Sequence, residues 1–141
     1  MKPEYKCASH KLISEIVIAL LPEYPKGISE EKSIVENAVI DFVIGQIEAL
    51  PVYLRFPYKI ALYKFNFFSL FVYGRTFLKL GKKRKSNYIK MWSDSPLKQM
   101  RDVIKLLRSC ALLQYYDHPV ILNMISTKNE NHEKQLQTRK N

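Results

Sequence analysis

Along this chain the apolar residues recur three and four positions apart, and nowhere do they alternate with polar ones over a run long enough for a strand. That spacing buries one side of a helix, whereas a half-buried strand needs a period of two. The pattern therefore restricts the chain to an all-α fold, and prolines mark where the helices stop.

A first helix is expected over residues 9–21, with Leu12, Ile13, Ile16, Ala19 and Leu20 on one face, ended by Pro22 and Pro25. Ser29, followed by Glu30 and Glu31, reads as the N-cap of a second helix running to about Leu50. Its stripe is Ile34, Val35, Ala38, Val39, Phe42, Val43 and Ile47, and Pro51 stops it. A break over 51–57 precedes an aromatic helix over 58–72, which Pro57 opens and Gly74 closes. A short helix holds Tyr88, Ile89 and Trp92. Ser95-Pro96 then starts a longer one to about Tyr116, with Met100, Val103, Ile104, Leu107, Ala111 and Leu112 on its apolar face and Lys98, Arg101, Lys105 and Arg108 on a basic one.

Pro119 opens a last short segment through Ile125, and residues 126–141 are polar and aperiodic, which predicts a disordered tail. At 141 residues and 47% hydrophobic content, residues 1–125 suffice for one domain with its own core. The expectation is an irregular bundle of five or six helices in which short connections make sequential helices antiparallel neighbours. No internal repeat is visible.

Lys and Arg number 23 against 13 Asp and Glu, a formal net charge of +10. Such a balance favours nucleic acid, anionic lipid or an acidic protein, and charge alone does not separate these from an ordinary solvated surface. The apolar stretch 60–73 is short of the roughly 20 residues that span a bilayer and contains Lys64 and Asn66, so it reads as a buried aromatic helix in preference to a membrane-surface segment. Glu15 interrupts the apolar run after Lys2, Lys6 and Lys11, and no small-residue cleavage site follows, unlike a signal peptide. The expected location is cytoplasmic, at most peripheral to a membrane.

Residues that could carry chemistry are sparse. Cys7 and Cys110 do not form a disulfide framework, and whether they meet is open. Cys7 and His10 with His118 or His132 could be imagined as a metal site but lack the spacing of a zinc set. No glycine-rich phosphate loop, Cys-x-x-Cys pair or nucleophile elbow occurs, and Asp94, Asp102 and Asp117 lie beside basic residues as surface pairs or caps. The basic patch Lys79, Lys82, Lys83, Arg84, Lys85 and Lys90 interleaves with Tyr88 and Trp92, a combination able to hold phosphate and stack a base. Of Tyr115 and Tyr116, one should be core and the other free to anchor a partner.

The series Phe77, Leu80, Arg84, Tyr88, Trp92, Ser95, Arg101, Lys105, Leu106, Tyr115, Tyr116 and Pro119 resembles the gluconate 2-dehydrogenase subunit 3-like family. Leu21-Pro22, Leu50-Pro51 and Arg55 extend the resemblance over roughly residues 10–125. Such chains are small helical subunits or N-terminal extensions that accompany FAD-dependent oxidoreductases of the glucose-methanol-choline type. The resemblance implies that FAD and catalysis belong to a large partner subunit, which this chain binds and stabilises, matures or exports while holding no cofactor itself. The chain departs from the family pattern in having no twin-arginine signal and no small-residue and aromatic ending after Pro119. The expected partner interface comprises Tyr88, Trp92, Arg101, Arg108, Tyr115 and Tyr116, with nucleic acid or an anionic membrane surface at the basic patch as the alternative.

Overall fold

A computed structural model describes the backbone of residues 2–24 and 30–140 and the side chains from Ser9 onward within those limits. Among the described residues there are six α-helices, one 3₁₀ turn and no strand: α1 (Lys2–Leu20), α2 (Lys32–Ala49), α3 (Val52–Tyr73), the 3₁₀ turn (Phe77–Lys79), α4 (Lys82–Ser93), α5 (Lys98–Asp117) and α6 (Pro119–Arg139). The chain is an all-α bundle.

Helix α5 is the hub and packs against all five other helices. Its stripe Val103, Ile104, Leu107, Ala111 and Tyr115 is buried along its whole length, against a core that includes Val35, Val39, Val43 and Ile47 of α2 and Leu12, Ile13, Ile16 and Val17 of α1. The expectation that sequential helices are the main neighbours holds for α1 with α2, α4 with α5 and α5 with α6. It fails for α3, which lies on α1, α5 and the 3₁₀ turn. Ile34, placed on the stripe of α2 by spacing alone, is exposed.

A second centre is aromatic. The Phe65 ring of α3 stands 4.8 Å from Phe77, 4.8 Å from Tyr88 and 4.7 Å from Trp92. Edge-on and tilted rings at these distances add electrostatic complementarity to a large buried area. The Tyr88 hydroxyl donates to the Phe65 carbonyl, so the polar end of this wholly buried ring is also satisfied. These contacts join α3, the 3₁₀ turn and α4.

Several boundaries differ from those read off the sequence. The first helix begins at Lys2, and α2 begins at Lys32; Ser29, the expected cap, lies outside the described residues. No break separates Pro51 from Pro57. Helix α3 starts at Val52 with Pro51 at its N-cap, and Pro57 sits within its second turn. A proline this close to a helix start forfeits a single backbone bond, which the rest of a 22-residue helix outweighs. The Arg55 guanidinium pins the preceding corner by donating to the carbonyls of Glu48 and Leu50, which have no helical partner at the end of α2. Gly74 ends α3 at φ 68°, where a side chain would be strained, and its N–H bonds to Leu70 at 2.8 Å.

Ser95, the expected cap of α5, is not at the cap position: its Oγ accepts from the Leu97 N–H at 3.2 Å in the turn before the helix, Leu97 is the N-cap, and the helix begins at Lys98, two residues past Pro96. His118 does cap α6, its Nδ1 accepting from Val120 N–H at 3.4 Å with Pro119 at the first helical position. Residues 126–139, expected as a disordered tail, continue α6 as helix with every residue exposed. The packed turn at Ile121 supplies the costly nucleus, and Glu, Lys, Gln, Leu and Arg propagate it cheaply.

Candidate functional site

The fold divides the expected interface residues into two groups. Tyr88, Trp92 and Tyr115 are core residues, with Trp92 only 3% exposed, so they are corrected from docking residues to packing residues. The reason is their register. Tyr88 and Trp92 lie one turn apart on the side of α4 that meets Phe65, and Tyr115 ends the buried stripe of α5, edge-on to Tyr24 at 5.6 Å. The choice between the paired tyrosines is thereby made, since Tyr116 is 49% exposed. Arg108 is exposed as well, and Arg101 is half-buried with a buried, unpartnered Nε.

Tyr116 shares one side of α5 with Leu113 and Leu106, at spacings of three and seven, and all three are exposed. The first uncovered surface is therefore a short apolar stripe on the outer side of the hub helix, with Lys105 beside it.

The basic patch is also divided. Lys79, Lys82, Lys83, Arg84 and Lys90 are exposed. Lys85 is not: its Nζ pairs with Glu15 of α1 and stands 5.6 Å over the Phe77 ring, so it holds α4 to α1 and is corrected from the patch. Lys79, Lys82, Lys83 and Arg84 join Arg75, Leu80 and Gly81 around a shallow hollow of about 540 Å³. The stacking arm of the nucleic-acid reading fails here, because the two aromatics assigned to it are buried.

A third surface was not legible from periodicity. Helix α3 carries two apolar stripes. Tyr58, Leu62, Phe65 and Ser69 turn inward, the last donating to the Arg75 carbonyl at 2.9 Å. Tyr53, Phe56, Ile60, Phe67 and Phe71, at spacings that keep them in line, turn outward and are all exposed, Phe71 by 82%. The aromatic helix expected to be buried is thus buried on one side only. Its outer stripe forms one wall of a groove of about 810 Å³ whose other wall includes Leu97, Gln99 and Met100.

Charge concentrates on the same stretch. Between Glu48 and Asp94 there are ten Lys and Arg and no Asp or Glu, so this segment carries the whole formal charge of +10 and the rest of the chain balances to zero. The charge count was the one sequence signal able to mark this stretch.

Among the described residues, no three His, Cys, Asp or Glu side chains gather so as to hold a metal ion. His10 pairs with Glu48 at 3.4 Å, His118 caps α6, and His132 is exposed far along α6, so the histidines of the imagined site are apart in function as well as in sequence. Cys110 is a free thiol whose pKa burial pushes up, which makes it less nucleophilic; the Cys7 side chain lies outside the described residues. Burial also pushes up the hydroxyls of Tyr24, Tyr58, Tyr88 and Tyr115. No helix of the described residues is long and apolar enough to cross a membrane. Comparison with protein-family models, with curated proteins and with solved structures finds no match to this chain.

Proposed function

We propose that this chain is a non-catalytic accessory subunit that binds a larger protein through the outer side of α5, and that the partner is a flavoprotein dehydrogenase of the glucose-methanol-choline type. One observation carries the reading. Of the residues on which the family resemblance rests, Phe77, Leu80, Tyr88, Trp92, Ser95 and Tyr115 are buried, so packing accounts for them. Lys105, Leu106 and Tyr116 are exposed on α5, Tyr116 with only one edge held, against Tyr115 at 5.1 Å. Apolar and aromatic side chains left in water on a rigid helix are what a partner surface anchors on.

The test is recovery of the tagged chain from its own cells, in moderate salt with nuclease present, with the eluate read for flavin absorbance. A yellow eluate with a large second chain is expected, and Leu113→Glu together with Tyr116→Ala should abolish its recovery without changing the fold. A colourless eluate holding this chain alone would overturn the proposal.

A further inference from the structure

We infer that the outer face of α3 is a membrane-binding face, on which the helix lies in the plane of an anionic lipid bilayer. This goes beyond the accessory-subunit reading and does not rest on it, since it concerns a different helix face and a chain tested alone.

A helix that is apolar all round is normally buried in a large core or in lipid. Helix α3 is buried on one side only, and at about 33 Å for its 22 residues it is as long as a hydrocarbon layer is thick, about 30 Å. Yet Arg55, Lys59 and Lys64 keep it from crossing one. An apolar helix face too charged to span is suited to lie at the interface, its aromatic side chains some 5–10 Å into the headgroup and acyl boundary.

The charge selects the kind of surface. Lys64 sits in line between Ile60 and Phe67, and Arg75 follows Gly74 at the end of the helix. Exposed Lys79, Lys82, Lys83 and Arg84 stand just beyond around the hollow. No carboxylate lies between Glu48 and Asp94 to repel a phosphate. Each basic side chain next to an anionic leaflet adds to the attraction, and salt screens it. An anionic bilayer therefore complements both features of this segment, an outward apolar stripe and basic residues within it and beyond its end. A polyanion such as nucleic acid complements only the second.

The experiment uses the full chain and sedimentation with vesicles of phosphatidylcholine, with and without phosphatidylglycerol. Binding to the phosphatidylglycerol vesicles is expected, weaker at high salt and at least tenfold weaker to phosphatidylcholine alone. The double variant Phe67→Ser/Phe71→Ser, both positions exposed, should keep the circular dichroism of the parent and lose at least tenfold in vesicle affinity. Lys82→Glu/Lys83→Glu should lose affinity for the anionic vesicles only. The inference is overturned by no sedimentation with phosphatidylglycerol vesicles at low salt. Binding that Phe67→Ser/Phe71→Ser leaves unchanged, together with equal binding to duplex DNA, would overturn it in favour of a polyanion surface. A dimer in solution that the same variant dissolves would overturn it in favour of a second copy covering the face.

Discussion

Trp92 shows how a side chain suited to recognition is used for packing. Its ring stacks edge-on to Phe65, and with Tyr88 and Phe77 it joins three consecutive segments of the chain. Trp92→Ala should therefore cost about 3–5 kcal/mol in a denaturant titration, the range for emptying a large aromatic site; a loss below 1 kcal/mol would contradict a core role. Lys85 makes the parallel case for charge. With its side chain 13% exposed and seated between Glu15 and the Phe77 ring, it bridges residues 70 apart in sequence. Replacing Glu15 by Gln removes the charge from that bond and should destabilise by about 1–2 kcal/mol, in line with charge-assisted hydrogen bonds that are partly solvated. An unchanged unfolding midpoint would show the pair to be incidental.

At the scale of elements, α3 and α6 depart most from what their sequences announce. The break expected at Pro51 to Pro57 rests on reading Pro51 as a stop and Pro57 as the start of the next helix, but α3 starts straight after Pro51 and holds Pro57 inside it. Pro57 costs a bond where the helix can spare it, and Arg55 stabilises the corner from inside the new helix. In α6 every residue of the polar run over 126–139 is exposed, so its helicity rests on propensity and on continuation from the packed first turns. Deleting residues 126–141 should lower the helical circular dichroism while leaving the thermal midpoint nearly where it was, within about 0.5 kcal/mol of the parent. A substantial drop in the midpoint would mean that the tail is held to the bundle.

For the whole molecule, the buried tyrosines set a limit at alkaline pH. Unfolded tyrosines release their protons near pH 10, while burial keeps Tyr24, Tyr58, Tyr88 and Tyr115 protonated above it. Below about pH 10 both states hold these protons and the contribution to stability is complete. Above it the unfolded state binds fewer protons than the folded one, so stability falls as pH rises. Urea midpoints measured across about pH 8 to 11 should be level at first and then decline; a level profile to the end would show that these hydroxyls ionise in place.

The sequence by itself determined the class of fold, the bounds of α2 and α5 to within a few residues, and the core stripes of α1, α5 and most of α2, because a period of 3.6 beside polar neighbours leaves one face to bury. It also held the charge separation between Glu48 and Asp94 in plain view. It could not determine which aromatics meet water. Tyr115 and Tyr116 are adjacent and chemically alike, and both stripes of α3 have helical spacing and apolar composition. Only the partners brought from distant segments decide between them: Tyr24 beside Tyr115, and α4 with the 3₁₀ turn beneath Phe65. Those contacts bury one tyrosine of the pair and one stripe of α3, and they leave Tyr116 and the Phe67–Phe71 face outside, where a partner and a membrane can reach them.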